Sequence, residues 1–309
     1  MRKHYAIFWF CLCLCGYTAM GQQTPLMSHY MFNGLLLNPA YAGSKEYVST
    51  TMLYRKQWAG IEGAPVTYNG SVHGLLKKKK LGLGALMQQD KIGVTRQTDF
   101  YGVLAYHMPM GQGKLSLGLQ GGVSNFSSNV VELTYWDPGD KVFAYNTFSN
   151  LLPNAGFGAY YYRELFYAGV SAPFLISYDP NESSSIEPDV PVHRQVRRYF
   201  ITAGGVIETE KELKFKPSFL VRYEANAKLQ YDLNLNMLIN DIFWIGASYR
   251  SDESVVALFE YQISKKLRVG YSYDYTLGAL GNYSTGSHEF MIGYDFGFPV
   301  TKMKSPRYF

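Results

Sequence analysis

The chain has almost no sulfur chemistry to offer. Its three cysteines, Cys11, Cys13 and Cys15, fall within the first fifteen residues. That segment reads as a leader, so the rest of the chain is left without thiol, disulfide or thiolate metal site. A long apolar run is also missing. Beyond the leader no stretch reaches the roughly 18 consecutive apolar residues of a membrane helix. Charge is scarce as well, at 17% against roughly 25% in an average soluble domain. Without Arg2 and Lys3 the 29 basic residues become 27 against 24 acidic, a balance of +3. So even a balance excludes nucleic acid as the expected partner.

The leader is a secretory signal by its parts. Arg2 and Lys3 precede an apolar core, Tyr5 to Cys15, and Ala19 and Gly21 supply small residues at −3 and −1, predicting cleavage before Gln22. Leu14 before Cys15 and Leu12 before Cys13 argue against a lipoprotein.

What is abundant is aromatic. Tyr, Phe and Trp make up 16% of the chain, with 27 Tyr. They alternate with polar residues at a period of two. In 229–237, Leu229, Tyr231, Leu233, Leu235 and Met237 share one face, and Gln230, Asp232, Asn234 and Asn236 the other. Residues 266–275 set Leu267, Val269, Tyr271, Tyr273 and Tyr275 against Arg268, Gly270, Ser272 and Asp274. Residues 288–298 repeat it, with Phe290, Ile292, Tyr294, Phe296 and Phe298 opposite Glu289, Gly293, Asp295 and Gly297. An apolar, aromatic face backed by a Gly-, Ser- and charge-bearing face fits a lipid-facing exterior and a wet interior. A soluble β-sandwich also alternates, but it seldom carries Tyr-rich apolar faces on almost every strand.

Alternation predicts fourteen strands, at 47–58, 66–76, 80–90, 95–107, 114–125, 153–163, 164–171, 198–207, 213–223, 229–238, 242–250, 254–263, 266–275 and 286–297. The number is even, as in bacterial single-chain barrels. The connections segregate: 77–79, 109–113, 163–164, 208–212, 239–241 and 264–265 are short, whereas 126–152, 172–197 and 276–285 are long and fall at the opposite ends of the strands. With the short turns in the periplasm, this is an all-β, transmembrane antiparallel β-barrel with long extracellular loops. The expected division is a signal peptide at 1–21, an N-terminal strap at 22–46, the barrel at 47–298 and a tail at 299–309.

No catalytic spacing stands out. His29, His73, His107, His193 and His288 are scattered without an H-E-x-x-H pair, and no G-x-S-x-G elbow occurs, so neither enzyme nor cofactor is expected. His73 and His288 are read as polar lumen positions. Lys77 to Lys80 read as a solvated turn, and the Gly clusters at 82–84, 111–113 and 121–122 as strand glycines that ease curvature. The predicted lumen carries Arg55, Arg222, Arg250 and Arg268 against Asp232, Glu260, Asp274, Glu289 and Asp295. Paired, such charges brace a filled barrel; separated, they line a channel.

Several motifs carry a family resemblance. They begin with Gln22-Gln23, Tyr30-Met31-Phe32-Asn33 and Asn38-Pro39-Ala40-Tyr41-Ala42-Gly43. Next come Tyr54-Arg55-Lys56-Gln57-Trp58, Gly63-Ala64-Pro65 and Gln89-Asp90-Lys91-Ile92-Gly93. Trp244-Ile245-Gly246, Tyr249-Arg250, Gly270-Tyr271-Ser272-Tyr273-Asp274 and Gly286-Ser287-His288-Glu289 complete the set. Together they resemble the PorP/SprF family of type IX secretion membrane proteins over nearly the whole chain after the leader. The resemblance implies an integral protein of a Bacteroidetes-type outer membrane, in contact with the lipid bilayer and serving the type IX secretion and gliding apparatus. Some members resemble partners of one large secreted adhesin, holding its C-terminal domain at the surface. Others are counted with the secretion machinery and its periplasmic ring. A small-solute diffusion porin is the alternative of a different class.

Two regions follow as candidates. Residues 22–44 form an apolar strap broken at Asn38-Pro39; Tyr30, Phe32 and Leu35 to Leu37 are expected to pack in the periplasmic mouth or lumen, because an apolar strap left in water invites aggregation. The long loops supply a candidate partner surface, with Trp136, Tyr145 and Phe148 in one and Tyr178, Arg194, Arg197 and Arg198 in the other. Aromatic and arginine anchors of this kind dominate protein interfaces.

Overall fold

The computed structural model describes residues 26–45, 47–76, 80–129, 148–177, 196–209, 213–224 and 227–297. A sheet of alternating strands has edges whose amide groups find no water inside a bilayer, so it closes on itself. The first half of the wall comprises β1 Val48–Lys56, β2 Val66–Leu76, β3 Leu81–Ile92, β4 Thr95–Met110, β5 Gly113–Ser128, β6 Phe148–Arg163 and β7 Phe166–Phe174. The second comprises β8 Arg198–Gly205, β9 Ile207–Glu208, β10 Leu213–Glu224, β11 Gln230–Ile239, β12 Phe243–Arg250, β13 Ser254–Gln262, β14 Leu267–Thr276 and β15 Ser287–Phe296.

Each strand pairs antiparallel with its sequence neighbour. The short β9 continues β8 along the same partner, β10, so the closed wall has 14 staves. The seam joins first strand to last, with Leu53 opposite Met291 on one side and Asn69 on the other.

The faces sort as the alternation demands. On β11, Tyr231, Leu233 and Leu235 point outward and are exposed, while Asp232, Asn234 and Asn236 are buried inward. Outward aromatics pair across neighbouring strands: Tyr54 with Tyr68 at 5.1 Å and Phe243 with Tyr261 at 5.0 Å between centroids. Such cross-strand pairs add to pairing and register. No helix among the described residues is long and apolar enough to cross a membrane.

Three details differ from the sequence expectations. β4 and β5 run on to Met110 and from Gly113, joined by Gly111-Gln112 alone. Gly111 takes a φ of 56° there, which a two-residue hairpin turn of the primed type requires. β5 also extends to Ser128 and β6 starts at Phe148, which narrows the predicted loop 126–152 to 129–147. The added residues pair Phe126 with Asn150, Ser127 with Ser149 and Ser128 with Phe148, mixing polar and aromatic positions so that no alternation is left to read. Finally, His288 faces outward between Tyr271 and Tyr273, not into the lumen. Its Nδ1 lies 2.8 Å from the Tyr271 hydroxyl. It shares the parity of Phe290, which points out as well.

Leu235 sits in the middle of β11 with 54% of its surface exposed on the outer face. Leu235→Arg is expected to cost about 2–4 kcal/mol on refolding into vesicles in urea, while Leu235→Phe stays near wild type.

Candidate functional site: a strap inside the lumen

A barrel of this size encloses more space than its own inward side chains fill. That space holds residues 26–45. Asn38 accepts the Ala40 amide through Oδ1 at 2.9 Å, and Pro39 at the first position starts the 3-10 turn Pro39–Tyr41. Two more 3-10 turns, Ser28–Phe32 and Gly34–Leu36, shorten the segment so that it coils rather than extends. Tyr30, Met31, Phe32, Leu35, Leu37 and Tyr41 are all buried. At about 1.5–3 kcal/mol for each large apolar side chain, their burial contributes on the order of 10 kcal/mol.

The carboxy half of the strap lies on a seat made by missing side chains. A Cβ on Gly82 overlaps the Ala42 carbonyl, one on Gly118 overlaps the Ala40 backbone, and one on Gly158 overlaps the Asn38 side-chain oxygen. Only glycine lets backbone approach backbone this closely. Asn38 Nδ2 also donates to the Ala159 and Val170 carbonyls, at 3.0 and 3.3 Å. Tyr41 packs edge-on against Tyr160 and His73, and His107 lies 2.9 Å from the Ala42 carbonyl. Asn33 donates to Ser71 at 2.8 Å. Gly43, at a φ of 78°, turns the chain between Gly74, Gly82 and His107 toward β1.

The amino half is held by charge. The Ser28 amide donates to Glu289 at 2.7 Å and its hydroxyl to Asp274 at 2.8 Å. His29 Nδ1 lies 2.7 Å from Glu289. Arg55 joins the two carboxylates, at 2.7 Å from Asp274 and 3.3 Å from Glu289. Beside it Arg250 pairs with Asp232 at 3.1 Å and reaches Glu253 and Asp274. A third group joins Arg268 to Asp295 at 3.1 Å and Glu260 at 3.9 Å. Arg222 contacts Gln230. All nine charges read from alternation as lumen-facing are therefore buried inside the wall. The strap supplies hydrogen-bonding partners to the first group, which a buried carboxylate needs.

The lumen is less polar than alternation suggested. Leu53, Leu220, Leu238, Trp244, Leu258 and Met291 point inward and pack on Met27, Tyr30, Met31 and Phe32. The wet interior expected from strand periodicity is thus partly a dry core. The strap's apolar side chains replace water on that wall.

Sequence reasoning overlooked several members of the site. Lys216 is fully buried, donates to the Met31 carbonyl at 3.0 Å and sits 5.0 Å above the Phe32 ring. Phe32 in turn meets Trp244 edge-on at 5.4 Å. Ser28 and His29 were also missed as anchors. The inward parity of Lys216 was the available signal.

The second signature lies at the long-connection end of β1. Tyr54 points outward, and the Trp58 amide donates to Ser287 at 3.1 Å. The Gln57 amide bonds to the Pro65 carbonyl at 2.9 Å and the Gly93 amide to the Gly63 carbonyl at 2.9 Å, tying the 57–65 loop to its neighbours. Of the candidate partner residues, Trp136, Tyr145, Tyr178 and Arg194 lie outside the described residues, and Phe148 begins β6. Arg197 donates to the Leu175 carbonyl at 2.8 Å. Arg198 opens β8 instead of standing in the loop; it lies 3.6 Å from Glu224 and over the Phe174 ring.

These features define an outer-membrane β-barrel whose lumen is occupied by its own N-terminal segment. The model for the type IX secretion system membrane protein PorP/SprF matches residues 19–294, and the chain belongs to that family. No curated protein matches the chain. Among solved structures, the toluene transporter TbuX of Ralstonia pickettii is 10% identical with a TM-score of 0.50, over 85% of this chain and 93% of its own. The toluene transporter TodX of Pseudomonas putida is 10% identical with a TM-score of 0.45, over 89% and 95%. At such an identity the likeness to TbuX speaks to the barrel fold alone. The outer membrane is where the protein resides.

Two outcomes test this site. Gly118→Val forces the strap off its seat, so planar bilayers are expected to show conductance that the wild-type protein lacks. Glu253, in the turn after β12, gives a pH dependence. Burial raises its pKa, but Arg250, with Arg55 and Arg222, outweighs that and holds it below the ordinary 4.5. A depressed folded pKa means the unfolded chain binds more protons as pH falls, so the Glu253 contribution is complete above about pH 4.5 and is lost below it. The stability gap between wild type and Glu253→Gln, read by denaturant unfolding, is expected to be constant from neutral pH down to that value and to close below it.

Proposed function

We propose that this protein is a closed, non-enzymatic anchor of the type IX secretion and gliding apparatus that holds the C-terminal domain of an exported surface protein at its long-loop mouth. The observation that carries the reading is the filled lumen. An apolar wall packed on an apolar strap leaves binding to the mouths, which weighs against a diffusion porin. The strand ends joined by the long connections 129–147, 175–197 and 277–286 lie at one mouth.

A second reading, a machinery subunit touching a periplasmic ring, draws support from the other mouth. There Lys45, Asp241, Glu260, Lys265, Arg268 and Asp295, together with Phe32, Tyr47, Leu238, Ile242 and Trp244, line a cavity of about 40 Å³. Its charged residues suit a charged partner.

A mild-detergent pull-down from native outer membranes, followed by mass spectrometry, separates the two. One large exported protein, retained through its C-terminal domain and lost when residues 130–147 are replaced by a short Gly-Ser linker, is the expected result. Ring components in its place overturn it in favour of the machinery reading.

A further inference from the structure

The strap has a direction, and it is opposite to that of β1. At its amino end, the Leu26 carbonyl accepts from Arg250, the last residue of β12, at 3.4 Å. Ser28 lies among Arg55, Asp274 and Glu289. Each of these sits within three residues of the strand end that meets a long connection: the end of β1, the end of β14 and the start of β15. At its other end Lys45 borders the cavity beside Lys265, in the short β13–β14 turn. Gly43 touches Gly74 and Gly82, which flank the short β2–β3 turn. Between these limits the Tyr30 hydroxyl meets Asn234 midway along β11, and Met31 meets Lys216 and Asn236 nearer the short turns. The strap thus runs the depth of the lumen, from the long-connection mouth to the short-turn mouth, before β1 returns.

We propose that the chain enters its own barrel from the outer mouth, so that Leu26 lies at the cell-surface end of the lumen beside the partner-docking face. The inference rests on the proposed function only for that last clause. The crossing itself follows from where the strap is pinned and from the rule that long connections face outward.

The test is a short polar epitope inserted between Thr24 and Pro25 of the full-length chain, expressed in its native outer membrane. Antibody binding is compared on intact and permeabilised cells, and heat-modifiability on gels reports barrel folding. Full signal on intact cells, with no gain on permeabilisation, is the expected result. Signal that appears only after permeabilisation overturns the proposal and leaves the strap entering from the periplasm. A chain with the insert that fails to fold, while Thr24→Ser folds, also overturns it, because an open exit accommodates added residues. Partner capture is not read in this experiment, so failure of the anchoring function leaves its outcome unchanged.

Discussion

The structure depends on one volume constraint. Fourteen tilted staves close a wall wider than inward side chains can fill, and inside a membrane the excess must hold water, protein or nothing. Here it holds protein. Once the strap occupies the lumen, the inner wall is free to be apolar where the strap is apolar and charged where the strap offers amide and hydroxyl groups. Leu53, Trp244 and Met291 lie in the first kind of place, and Asp274 and Glu289 in the second.

The two halves of the strap are held by different physics. Around Asn38 to Gly43 the contact is steric, since glycines on the wall bring two backbones together and any Cβ there is excluded. Around Ser28 and His29 it is electrostatic. Arginines, carboxylates and strap donors satisfy one another, so losing any one of them leaves a buried charge exposed to a poor environment. Dispersion on the first seat is indifferent to pH and salt, whereas the second seat depends on ionisation.

A filled barrel changes what the protein can do. Transport through the lumen requires removing a segment that buries eight large apolar side chains between Leu26 and Tyr41, so recognition at the mouths is the economical use of this architecture. The two mouths differ in kind: long connections at one, tight turns and a small cavity with charged and aromatic lining at the other. Between them the strap is the one described segment inside the wall that touches both ends, which places any change at one mouth in physical continuity with the other.

Much of the wall was legible in the sequence. Period-two alternation reports a residue's side of a sheet directly, so strand order, parity and the nine lumen charges could be read from spacing alone. Alternation failed where apolar residues do not keep to one face, as with Leu151 and Leu152 in the added rungs of β5 and β6, and at His288, whose neighbour Phe290 already showed the outward parity. The broken apolar stretch at Asn38-Pro39 marked the strap as something to be buried. Tertiary structure alone decided where. Which wall glycines seat the strap, that Lys216 caps Met31, and that the strap enters beside Arg250 and leaves beside Lys265 all depend on the closure of the sheet, which brings together residues up to more than two hundred positions apart. Local sequence carries no trace of such contacts, because a strand's pattern specifies its face and never its opposite number across the barrel.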